Sequence, residues 1–389
     1  MRGKHCFQEP GSRLLRLLSR SAAVLIGRSP YSAQRVSRPS CLCPPRICAL
    51  AVCLLSLSLL PAQAAKPFSS DSGAPRAFVT VAQDPEATVA FRPNFEKVRL
   101  MANRAITNLT RKPTVPDAWR SLVTTQDIVG IKVFSAPGPN SGTRPAVVAA
   151  VVEGLLAAGL PPNHIIVWDR HITDLRLAGF TDLSDRYGIR LAGAAQAGWD
   201  EKTFYNPDSP ILGNLVWGDL EFGKKGDGVG RKSFVSTLVS REITKIINIT
   251  PLLNHNEAGV SGNLYSLASG SADNLIRFEY SPATLATAIP EIYSLPALSD
   301  HVVLNITDAL ICQYEGGERG LLHYSATLNQ LRFSLDPVAL DVLSIQELDR
   351  LRQNAHAPSV KPNSKLYSNA ALLQLGVNDL KRIQVDTLP

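Results

Sequence analysis

The sequence predicts an α/β fold: a mixed, mainly parallel sheet flanked by helices, forming a single large domain behind a signal peptide. Three observations predict it. Short β-branched apolar runs, with Ile246, Ile247 and Ile249 as the clearest, read as buried strands because such side chains pack well on a pleated surface. Residues 127–169 read as strand, crossover helix, strand, a unit that is almost always parallel and right-handed. The excess of basic residues is confined to a leader that ends in an apolar run, so the folded body is a neutral globule.

The leader comes first in the chain. Ile47 to Leu60 is an apolar run of 14 after a basic flank, and Pro61-Ala62-Gln63-Ala64 supplies a small-x-small cleavage pattern. A spanning helix needs about 20 apolar residues, so residues 1–64 are expected to be a signal peptide with a long basic n-region, cleaved near Ala64. That predicts a periplasmic or secreted protein, with a membrane partner only if the leader stays uncleaved. The chain carries a formal charge of +7, but nine Lys and Arg residues face only Glu9 within the leader. The body keeps 31 basic and 32 acidic residues, which excludes a basic nucleic-acid footprint. Five of six cysteines lie in the leader, and Cys312 alone in the body supports neither a disulfide nor an iron–sulfur cluster. Its position after an apolar run predicts a buried, inert thiol.

Residues 65–76 are Ser, Pro, Gly and Ala rich and read as a flexible tether; the α/β domain is expected over 77–351 and a packed C-terminal extension over 352–389. Ala77 to Val81 predicts a strand, and Asn94 to Thr110 an amphipathic helix. Asp127 to Phe134 reads as a buried strand, Ser135 to Pro145 as a Gly/Pro-rich loop able to cradle a phosphate, Ala146 to Ala158 as a helix, and Asn163 to Asp169 as the next strand. The loop lacks both the dinucleotide and the P-loop glycine patterns. Lys132 in its apolar strand is either an edge lysine with a solvated head or one aimed at an anionic ligand. Asp169 and His171 end the second strand, as a charged turn or as a substrate-orienting cluster. A short helix near Leu175 to Ala178, a strand at Ile189 to Leu191 and a loop at Gly223 to Lys232 follow, with Ser233 to Leu238 as a returning strand.

The central strand is expected to stop at Pro251. Beyond it, His255-Asn256-Glu257-Ala258-Gly259-Val260-Ser261-Gly262 crowds an imidazole, a carboxylate and two glycines past a strand end, where open α/β sheets place their ligands. His255 reads as a general base, a metal ligand or a structural imidazole, with Glu257 as its partner. Pro282 to Tyr293 predicts a helix, and His301 to Asp308 a strand ended by Asp308. Two strand-terminal carboxylates and a histidine at one rim suit a hard divalent cation. Gln313 to Gly317, with Tyr314, is expected to form a loop over that rim. Asp336-Pro337 reads as an N-cap and first helical position before a helix over Val338 to Arg350, and Ser368 to Leu375 as a last short helix.

The segments Val129 to Val133, Gly154 to Asp169, Ile246 to Gly262, Val303 to Leu310 and Asp336 to Asp341 are similar, in order and spacing, to the family known as domain of unknown function 362. The same pattern resembles the N-terminal half of nickel-pincer lactate racemases. The resemblance implies an exported bacterial or archaeal domain with its site near His255 and the Gly-rich turn after it. Leu253-Asn254 and Tyr265-Ser266 stand where many relatives carry lysines, a loss that weakens any phosphorylated ligand. No lysine is placed to hold a pincer cofactor, and no cofactor is named.

The functional expectation is therefore a small-molecule or metal-ion binding domain, or an enzyme acting on such a ligand. The catalytic candidates are His255, Glu257 and Asp308; the ligand-binding candidates are Lys132, Asp169, His171, Asn254, Gly259, Gly262 and Tyr314. A degenerate, non-catalytic binding or assembly module is the alternative.

Overall fold

β-Branched runs buried on both sides become the strands of one sheet. The computed structural model describes residues 76–223, 228–279, 281–358 and 361–389; the leader and most of the tether lie outside them. Eight strands form the path: β1 (Ala77–Gln83), β2 (Val129–Val133), β3 (Ile165–Asp169), β4 (Arg190–Gly193), β5 (Lys245–His255), β6 (Val302–Gln313), β7 (Ser325–Ser334) and β8 (Ile383–Leu388). Their order is β8-β1-β7-β6-β5-β2-β3-β4, and the short strand Gly259–Val260 folds back on the end of β5. β6, β5, β2, β3 and β4 run parallel, while β7 is antiparallel to both β6 and β1. The chain builds outward from β2 through β3 to β4, then returns to add β5 and β6 on the other side. This reversal between β2 and β5 is where α/β sheets open a crevice.

Helices cover both faces. α1 (Phe95–Thr110) and α2 (Pro145–Ala157) pack on one side over Ile131, Val133, Ile247, Ile249, Ile306 and Phe333. On the other, α3 (Asn263–Ser271), α4 (Pro282–Tyr293) and α5 (Pro337–Asn354) lie with α6 (Ser364–Leu372) over Ile166, Trp168, Ile246 and Leu252. Asp336 caps α5 by accepting from the Ala339 amide at 2.8 Å, as the Asp-Pro pair predicts. Cys312 is buried and free, and burial pushes its thiol up to about 11. No described helix is long and apolar enough to cross a membrane.

Four differences from the sequence reading matter. Pro251 does not stop the central strand: β5 continues to His255, with Pro251 opposite Asp308 and a register shift between Pro251 and Leu253. A proline lacks one ladder donor, so the strand absorbs it with an irregularity rather than ending. β6 likewise runs on to Gln313, which leaves Asp308 in mid-strand. The single helix near Leu175 is two, Ile172–Leu177 and Thr181–Tyr187. The C-terminal extension contributes a strand, because β8 pairs in parallel with β1 from Ala77↔Ile383 to Ala82↔Leu388. In the arm between β4 and β5, Gly213–Asn214 pairs with Val229–Gly230, while residues 224–227 of the expected loop lie outside the described ones.

Candidate functional site

β2 and β3 deliver the first functional groups side by side, because Lys132 is in register with Trp168 and Asp169 follows at the strand end. Lys132 is neither solvated nor free to meet a ligand. It is fully buried, with Nζ 2.9 Å from Asp169 Oδ1, 3.1 Å from Ser266 Oγ and 2.5 Å from the Val133 carbonyl. Burial pulls its pKa down and the Asp169 carboxylate opposes that pull. Gly270 on α3 makes room: a Cβ there would sit 2.1 Å from Lys132 Cε. Asp169 also accepts from the Ser135 amide and hydroxyl at 2.7 and 2.6 Å and from the Arg170 amide at 2.8 Å. The pair thus ties the loop after β2 to the end of β3.

Above it opens a cleft of about 270 Å³ at the carboxyl ends of β2 and β3. Its floor and walls include Phe134, Tyr265, Leu275 and Ile276, with the Phe134 and Tyr265 rings edge to face at 6.3 Å. Four carboxylates line it, Asp169, Asp174, Glu279 and Glu318, against Arg170 and His171. Burial raises the Glu279 and Asp174 pKa values, with Arg170 and His171 respectively opposing. Glu318 is pushed up to about 7 by burial first, then by repulsion from Glu279, Asp169 and Asp174. As a residue Glu318 is exposed at the mouth, so solvent there screens part of this repulsion. Crowded carboxyls of this kind share protons and favour a cationic guest.

The turn after β5 is built differently. The amides of Glu257 and Ala258 donate to His255 Nδ1 at 3.2 and 3.0 Å, which places the ring proton of the neutral imidazole on Nε2. The ring lies on Tyr265, 4.2 Å between centroids, and burial lowers its pKa to about 4. Asn254 accepts from Arg352 and donates to Asn256, Gly259 turns the chain at φ +94°, and the Glu257 carbonyl accepts from Asn363. Asp341 on α5 then closes the Gly-rich turn. Its buried carboxylate accepts from the Asn263 amide at 2.6 Å and the Leu264 amide at 3.0 Å, capping α3. Gly262 is required there, since a Cβ would lie 2.2 Å from Asp341 Oδ1.

Asp308 plays the matching part at α2. It accepts from the Arg144 amide at 3.0 Å and pairs with the Arg144 guanidinium at 3.1 Å, both residues buried. The helix starts that follow a Gly-rich loop, where a phosphate would bind, are therefore each occupied by a carboxylate of the chain itself. Thr143 Oγ, bonded to the Ile249 carbonyl, and Ser141 Oγ, bonded to Gln313, hold the loop after β2 against the sheet instead.

Of the residues picked from sequence, the structure brings Asp169 and His171 to one cleft, with Lys132 buried beneath it as the ion-pair partner of Asp169. His255, Glu257, Asn254, Gly259 and Gly262 form the turn after β5, outside the cleft lining but with the His255 ring on the cleft residue Tyr265, and Tyr314 stacks edge to face on Tyr324 in the loop after β6. The shared rim is corrected: β2 and β5 stand between Asp169 and Asp308, so three strand spacings put them roughly 14 Å apart. Among the described residues no three His, Cys, Asp or Glu side chains converge as metal ligands. Sequence reasoning missed Asp174, Tyr265, Glu279 and Glu318 as cleft residues. They come from four separate segments, and only the Gly316-Gly317 and Gly320 spacing around Glu318 hinted at a loop over the site.

No family model and no curated protein matches the chain. A crystal structure of a protein from Thermotoga maritima is similar at a TM-score of 0.37 and 12% identity, over 68% of this chain and 60% of that one. At that score the likeness carries no functional argument.

Proposed function

We propose that the cleft over the carboxyl ends of β2 and β3 binds a small organic cation, and that the protein is a binding domain or an enzyme acting on such a molecule. One observation carries the reading: four carboxylates, of which Asp169 is already paired with Lys132, and two aromatic rings line one small hollow at the strand ends, with Arg170 and His171 as the opposing groups. Carboxylates and ring faces together recognise an ammonium group. The absence of a converging ligand set among the described residues favours an amine over a bare metal ion. Glu318, with its raised pKa, is the group suited to exchange a proton with a bound amine. His255 and Asp308, engaged in the fold, act as structural groups in this reading. The leader belongs to the same proposal: cleavage near Ala64 delivers the domain outside the cytoplasm, and N-terminal sequencing of the mature chain decides it.

The test is calorimetry with butane-1,4-diamine and with butanedioate, a dianion of the same length. The diamine binds the wild type, and Glu318→Gln weakens it by about tenfold, the worth of one charge-assisted contact. Preferential binding of the dianion, or indifference to Glu318→Gln, overturns the reading.

A further inference from the structure

The loop that carries Glu318 is not held by its own backbone alone. Gln313 ends β6 at 2% exposure, and its amide is the hub of residues 314–321. Nε2 lies 2.9, 3.0 and 2.7 Å from the carbonyls of Glu315, Gly317 and Arg319, sharing two hydrogens among three acceptors. Oε1 accepts from the Leu321 amide at 2.9 Å and from Ser141 Oγ at 2.8 Å. Glu318 sits between two of the clamped carbonyls, and Ser141 belongs to the segment after β2 that supplies Ala136 to the lining of the cleft. A primary amide donates twice and accepts twice, so no carboxylate, hydroxyl or apolar side chain replaces it here.

We infer that Gln313 is the positioning residue of the cleft: it folds residues 314–321 around its amide and docks them on the loop after β2, which sets Glu318 facing Asp169, Asp174 and Glu279. This rests on the cleft reading for its function, but the placement of Glu318 is measurable without any ligand. Freed of the clamp, the loop still leaves β6 and enters β7, because both strands are fixed by their ladder. Glu318 then leaves the mouth of the cleft and moves away from the other carboxylates. The charge facing the guest falls, and selectivity for a cation falls with it.

Two readouts separate the claims. In the ligand-free protein, carbon-13 NMR of the glutamate carboxyls follows the titration of Glu318: wild type titrates near 7 and Gln313→Ala falls back toward the ordinary carboxylate range. In calorimetry, Gln313→Ala weakens butane-1,4-diamine by about tenfold, and adding Glu318→Gln costs no more than about a further twofold, because the two changes remove one interaction. Should Gln313→Ala fail to fold, Ser141→Ala severs only the link between the loops and shifts the Glu318 titration in the same direction. An unmoved Glu318 titration in these variants overturns the inference even if the diamine binds. A shifted titration in a protein that does not bind the diamine supports the placement while rejecting the cleft reading.

Discussion

Two sets of acids in this fold, one fully buried and one lining an open cleft, do opposite things. Asp308 and Asp341 are surrounded by donors: an amide and a guanidinium for one, three N–H groups of Asn263 and Leu264 for the other. Asp174, Glu279 and Glu318 are surrounded by one another, with Arg170 and His171 beside them. The first set completes helix ends and stabilises the fold; in the second, Glu318 is repelled by Glu279 and Asp174, so the cluster adds little to stability. The role of a carboxylate is thus read from its donors together with its depth: Asp308 and Asp341 are fully buried, whereas Asp174 and Glu279 are half-buried and Glu318 is exposed.

The comparison breaks most visibly at Asp308. Asp308→Ala leaves Arg144 buried without its partner and is expected to cost about 3–5 kcal/mol in urea unfolding; a change below 1 kcal/mol, roughly the worth of a surface pair, refutes the structural role. Next is the pH response of His255. Its folded pKa of about 4 lies below the ordinary 6.5, so between those values the unfolded chain takes up a proton that the folded chain refuses. Stability is full above pH 6.5 and falls as pH drops through that window, by about 3 kcal/mol at pH 4. His255→Asn keeps an acceptor for the Glu257 and Ala258 amides, and it should flatten the acid limb of a Tm-versus-pH curve. Gly262→Ala drives a methyl into the Asp341 carboxylate and should cost about 1–3 kcal/mol, read by the same unfolding curves. The smallest effect sharpens the contrast best: Glu318→Gln and Asp174→Asn should move stability by less than about 0.5 kcal/mol, or raise it, while Glu318→Gln weakens the diamine.

Much of the architecture was legible because strands and helices announce themselves locally. The β2–α2–β3 unit, α4 and the Asp336 cap fall where period, glycine and proline place them. What was not legible is pairing. β8 joins β1 across almost the whole chain, and its Ile383 to Leu388 run carries no mark of its destination. Pro251 was a stop signal that pairing with β2 on one side and β6 on the other overrode. The site suffered most from this. His255, Glu257 and Asp308 are the residue types that catalysis uses, read from sequence as lying at or near strand ends, yet the choice between chemistry and capping depends on whether an amide points at them. That is settled by α2, α3 and α5 packing, which no window of sequence contains. Lys132 shows the same limit, since only its partner in the next strand reveals it as half of an ion pair.

The junction of β1 with β7 and β8 constrains how this protein comes into being. Ala77 finds its neighbour Ile383 about 300 positions later, so during synthesis at ~5–20 residues per second the strand waits on the order of 15–60 s for its second partner. For that interval an apolar ribbon with open amides hangs from the nascent polypeptide, the kind of edge that recruits wrong partners. Loss of the last seven residues, by proteolysis or premature termination, makes that transient exposure permanent.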